Sequence, residues 1–144
     1  MNLKNHLIAT GLLAAPALLF STPLETAVFC TGSILIDVDH QIFYMARTGR
    51  VGISGMFRFF RENVDEHLYS IPYLGVCIFH TAEFFLFVAI LSLYFPTLKY
   101  LLAGLVFHIL LDIYDLIRLK VPFIRAYSLI EHLIRRRISG YPFV

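Results

Sequence analysis

Five acidic residues, Asp37, Asp39, Glu83, Asp112 and Asp115, lie inside stretches that are otherwise apolar enough to cross a lipid bilayer. A charge at the bilayer centre costs about 2.5–3.5 kcal/mol on insertion scales, so each acid must meet a partner. The stretches cover about 3–22, 27–44, 73–95 and 98–119. Each approaches the roughly 20 residues that a spanning helix needs. Composition agrees, with 58% hydrophobic and 15% charged residues, against about 45–50% and 25% in soluble domains. That balance excludes a disordered chain, an ordinary soluble enzyme and a nucleic-acid-binding tail. The net charge of +2 is too small to argue for a polyanion partner.

The expected fold is all-α: a polytopic membrane protein, a bundle of four transmembrane helices forming one membrane domain over residues 1–144. Ser21-Thr22-Pro23 ends the first span and Pro96-Thr97 separates the last two. Pro16 should kink the first span, which membrane helices tolerate. Segments 45–72 and 123–138 mix arginines with Phe, Leu and Ile and read as interfacial amphipathic helices. Arg47, Arg50, Arg58 and Arg61 crowd one connection, and Arg118, Lys120, Arg125 and Arg135–Arg137 crowd the tail. The positive-inside rule then puts both termini in the cytoplasm and the short turns outside. The first span lacks an A-x-A cleavage site and is expected to be retained.

Histidines accompany the acids. His40 is three residues from Asp37, His80 three from Glu83, and His108 four from Asp112. Such spacings share one helix face. Asp39 points away from Asp37 on an ideal helix, so it needs an unwound segment there or a separate role. At ~1.5 Å per residue, Asp37, His80 and Asp112 fall ~10 Å below the cytoplasmic end, His40 ~6 Å, and Glu83 and His108 ~15 Å. His6 opens the first span from the same side. Imidazole and carboxylate at one depth are the ligands of Zn²⁺, Mn²⁺ or Fe²⁺, and a cation neutralises the acids. The candidate ligands are His6, Asp37, His40, His80, His108 and Asp112, enough for one or two ions. Asp115 reads as an acceptor holding an imidazole, or as a partner of Arg118.

Other residues read more simply. Cys30 and Cys77 sit in apolar runs without a C-x-x-C partner and read as small buried hydrophobes. His67 belongs to a polar loop, and Glu131 and His132 to a surface helix whose arginines meet anionic headgroups. Gly11, Gly32 and Gly104 are candidate helix contacts. There is no G-x-S-x-G, P-loop or nucleotide fingerprint.

His6 at the head of an apolar run, Asp37-Val38-Asp39-His40, and Gly104-Leu-Val-Phe-His108-Ile-Leu-Leu-Asp112 resemble, in that order, the YdjM-like group of inner-membrane metal-dependent hydrolases. The His-x-x-x-Asp element is similar to part of the metal set in zinc-dependent phospholipase C. That group commonly carries His-Arg-Gly-x-Thr-His where this chain has Cys77-Ile-Phe-His80-Thr-Ala-Glu83. His80 stands for the second histidine, no ligand stands for the first, and Glu83 is the substitute.

The resemblance implies metal binding and hydrolysis at the inner membrane. The expected activity is attack of a metal-activated water on a lipid or amphiphilic ester or phosphodiester, with Glu83 or Asp39 as general base. The alternative is a non-enzymatic carrier of protons or a divalent cation. A haem-binding bundle is a third reading, disfavoured by a carboxylate beside each histidine. Membrane lipids are the expected partners.

Overall fold

Most of the chain is helical, as its apolar composition predicts. A computed structural model describes residues 3–138 and 140–142. In chain order the elements are α1 (Leu3–Ala17), α2 (Pro23–Ile34), α3 (Val38–Thr48), α4 (Ile53–Phe59), β1 (Gly75–Val76), α5 (Ala82–Tyr94), α6 (Leu98–Arg118), β2 (Arg125–Ala126) and α7 (Leu129–Arg135). They form two compact units: Met1–Ile36 with Glu83–Asp115, and Asp37–Ala82 with Leu116–Val144.

The first unit holds α1, α2, α5 and α6 up to Asp115. Thr22 starts α2 through a capping box: its hydroxyl accepts from the Glu25 amide, and Glu25 accepts from the Thr22 amide at 2.8 Å. Pro23 follows at the first helical position, where its missing N–H costs nothing. Helices α2 and α6 meet through two glycines. A Cβ on Gly32 would strike the Leu101 carbonyl, and one on Gly104 the Phe29 carbonyl. Gly11 faces open space instead, so it is not a helix contact.

Polarity in this unit is inverted relative to a soluble bundle. Helix α1 buries His6, Thr10 and Ala14, four residues apart, and exposes Leu7, Ile8, Leu12 and Leu13. Helix α6 buries Gly104, Leu105, His108 and Asp112 and exposes Val106, Leu110 and Tyr114. Small and polar residues inside, with large apolar ones outside, is the pattern of helices packed in lipid. Among the described residues one helix, Leu98–Arg118, is long and apolar enough to cross a membrane; Ala82–Tyr94 is apolar but shorter.

Two of the expected spans differ from their sequence reading. The stretch 27–44 breaks at a 3₁₀ turn, Leu35–Asp37, between α2 and α3. Asp37 ends this turn and Asp39 lies in the first turn of α3, so the two do not share one regular helix. The stretch 73–95 is helical only from Ala82. Thr81 is extended (φ −95°, ψ 150°), so His80 ends a separate 3₁₀ turn and shares no helix face with Glu83.

The second unit packs a small apolar core but also buries Asp39, His80 and Arg125. Val64, Ile71 and Ile124 form its core, with Phe59, Phe60, Leu68 and Leu74 packed around them. Strands β1 and β2 pair in parallel, Gly75 with Arg125 and Val76 with Ala126. Gly75 has φ +137°, a conformation that side chains disfavour, and the Phe43 ring occupies the space a Cβ would take.

Helix α7 is capped by Ser128 and has no buried residue, as the surface reading expects, with Glu131 and His132 half-buried on its inner side. His132 Nδ1 lies 2.6 Å from the Tyr73 hydroxyl. Glu131 accepts from Arg135 and from the Tyr127 amide at 2.8 and 2.9 Å. Burial, with Arg136 and Arg47, holds the His132 pKa below its ordinary value. Ile53 and Phe57 on α4, and Ile130 and Ile134 on α7, remain exposed near Arg58, Arg136 and Arg137. His67 is exposed, as its polar loop predicts.

Candidate metal centre

Each unit gathers its own set of metal-ligating side chains. In the first, His6, His108 and Asp112 each offer a donor atom, all within 4.8 Å of one another. Their exposures are 1%, 0% and 2%, so bulk water does not solvate them. His6 comes from the first turn of α1, and the spacing of four residues aligns His108 with Asp112 on α6.

Asp112 Oδ1 lies 3.3 Å from His6 Nε2 and 3.5 Å from His108 Nε2. Good N–H···O hydrogen bonds run about 2.7–3.2 Å, so both separations are long for one. A tetrahedral ion about 2.0–2.1 Å from each ligand would hold its ligands roughly 3.4 Å apart.

The proton position on His108 strengthens the point. Its Nδ1 is 2.7 Å from the Ser33 carbonyl, which only accepts, so Nδ1 carries the proton. Nε2 of the neutral ring therefore turns a lone pair toward a carboxylate oxygen. A cation between the two atoms, whether a metal ion or a proton, would relieve such an approach. The histidine rings stack at 4.2 Å. A hydrogen bond of 2.6 Å between the Thr10 and Ser33 hydroxyls steadies the segment that positions His108. An outer partner that fixes ring and tautomer is characteristic of metal-binding histidines.

In the second unit Asp39 stands between two imidazoles. Its oxygens lie 3.0 Å from His40 Nδ1 and 2.9 Å from His80 Nδ1, and the Phe79 amide donates to it at 3.0 Å. These are hydrogen-bond distances. Asp37 Oδ1 is 3.4 Å from His40 Nδ1 and 3.7 Å from His80 Nε2. Asp39, His40, Cys77 and His80 form a second set whose donor atoms lie within 4.8 Å of one another.

Both sets are suited to a cation. Of the expected residues, the first unit brings together His6, His108 and Asp112, and the second Asp37, Asp39, His40 and His80. Glu83 is half-buried in the first turn of α5. Cys77 is the member that sequence reasoning placed among the hydrophobes. The available signal was the Cys77-x-x-His80 spacing, which a search confined to paired cysteines passes over. No family model matches the chain, and no curated protein or solved structure matches it either.

Proposed function

We propose that this chain is a membrane-embedded, metal-dependent hydrolase of lipid or amphiphilic esters or phosphodiesters, of the YdjM-like kind. Zn²⁺ is the expected ion, with Mn²⁺ or Fe²⁺ as alternatives, in one or two copies. The observation that carries the reading is the buried set of His6, His108 and Asp112, whose long N···O separations suit a shared cation better than hydrogen bonds. The inverted polarity of the first unit supports a lipid surround for that set. A divalent ion there would act as a Lewis acid and lower the pKa of a water toward ~7.

In this reading His6, His108 and Asp112 hold the ion, and the Ser33 carbonyl keeps His108 in the ligating tautomer. Asp37, His40 and His80 gather around Asp39 in the second unit as the candidate for a second ion. Asp39 already accepts from two imidazoles and an amide, so Glu83 is the better proton acceptor. Four membrane passes, with both termini on the cytoplasmic side of an inner membrane, complete the proposal. The arginines of 45–72 and of the tail support that orientation.

The test is hydrolysis of phospholipids and simpler phosphodiesters or esters by purified protein in detergent. Turnover should stop on chelation, return with zinc, and be absent from a folded Asp112→Ala variant. Turnover that survives both chelation and the substitution would contradict the reading. An ion that dialyses freely from a protein with no hydrolytic activity would identify a carrier instead.

A further inference from the structure

We infer that Cys77 is a thiolate ligand of a soft divalent cation, Zn²⁺ foremost, gathered in the second unit with Asp39, His40 and His80. The inference rests on the metal-binding reading of that unit and adds to it the ligand that decides which metal is taken. Carboxylate and imidazole alone leave Zn²⁺, Mn²⁺ and Fe²⁺ as alternatives, whereas a thiolate favours zinc and disfavours the hard ions.

Three observations converge on Cys77. Its sulfur belongs to a group of four donors within 4.8 Å of one another. The residue is buried, whereas its neighbour Ile78 is 47% exposed, so the turn directs the thiol inward and leaves the larger apolar side chain outside. Cys77 is extended (φ −102°, ψ 117°) and begins the 3₁₀ turn Ile78–His80, which brings thiol and imidazole into one group from a short Cys-x-x-His segment. A Cys/His/His/Asp set combines sulfur, nitrogen and oxygen donors that zinc accepts in a four-coordinate site.

In the structure the Nδ1 atoms of His40 and His80 face Asp39 at hydrogen-bond distance. A cation entering that space takes the place of those protons. Each neutral imidazole moves its proton from Nδ1 to Nε2, with no net release. On His80 the carboxylate of Asp37 lies on that side, 3.7 Å from Nε2. The thiol loses one proton to solvent as its sulfur bonds the metal, so loading through Cys77 should weaken as pH falls.

Cobalt is the probe. Full-length protein in detergent is stripped with a chelator and titrated with Co²⁺. We expect visible d–d absorption together with a thiolate-to-cobalt charge-transfer band in the near ultraviolet. Cys77→Ser should abolish the charge-transfer band and weaken cobalt binding in this unit by at least the ~10–100-fold typical of losing an outer-shell partner. Cys30→Ser should leave the band intact, which provides a folded control. Visible bands without a charge-transfer band in the wild-type protein, or a band lost in Cys30→Ser and kept in Cys77→Ser, would overturn the thiolate assignment alone. Absence of any cobalt spectrum would overturn the metal-binding reading beneath it.

Discussion

Replacing Gly104 with alanine adds one methyl group where α6 meets α2. That Cβ would lie 2.9 Å from the Ser33 nitrogen and 3.1 Å from the Phe29 carbonyl carbon, and nearer still to the Phe29 oxygen. Backbone atoms of a helix cannot swing aside as a flexible side chain can. Ordinary contact, about 3.5 Å or more, requires the two helices to part by at least about 1 Å. Overpacking of this kind costs about 1–3 kcal/mol. Ser33 is also the residue whose carbonyl holds His108 Nδ1 at 2.7 Å. A shift of about 1 Å would carry that pair to roughly 3.7 Å, beyond hydrogen-bond range. Losing such a partner typically lowers metal affinity ~10–100-fold.

Gly104→Ala should therefore lower both the thermal midpoint and the zinc affinity, measured by thermal unfolding in detergent and competition with a chelating dye. Gly11→Ala is the internal control. It sits in the same unit with nothing within 4 Å of the added atom. Alanine there should stabilise by up to about 1 kcal/mol through helix propensity. If Gly104→Ala matches the wild type in both measurements, the close α2–α6 contact and its coupling to His108 are refuted.

Thr22→Ala removes the hydroxyl that caps α2 and should cost about 1 kcal/mol, read from the same unfolding curves. Glu25, its capping partner, has a lowered pKa because it accepts from the Thr22 amide. Its stabilising effect should be present above the ordinary glutamate pKa and vanish as pH falls through the lower folded value; Glu25→Gln should erase that part of the acid profile. His132 is held below its ordinary pKa by burial and neighbouring arginines. The stability it contributes as a neutral ring is present above about pH 6.5 and declines as pH falls through the lower folded value. His132→Asn should flatten that decline, and an unchanged pH profile would remove His132 from the account.

Particular residues show what the sequence disclosed and what it hid. Helix α6 was legible almost to the residue, because Pro96 and Pro122 flank a long apolar run. His108 and Asp112 came with it, since four-residue spacing on a regular helix fixes their common face. The break at Leu35–Asp37 had no punctuation, as Ile34-Leu35-Ile36 reads as continuous helix. Only the misfit of Asp39 hinted at it. Strands of two residues, paired across fifty positions, carry no periodicity to detect. Cys77 was hidden because thiol burial serves packing as well as ligation, and only the fold brings Asp39 and His40 beside it.

Elemental analysis of the purified, unchelated protein tests the central claim most directly. Zinc or another transition metal should be present at one or two equivalents per chain, and His108→Ala and Asp112→Ala should each remove one equivalent from a protein that keeps its helical content. Wild-type protein that is folded, free of metal and unable to take up zinc would contradict the claim.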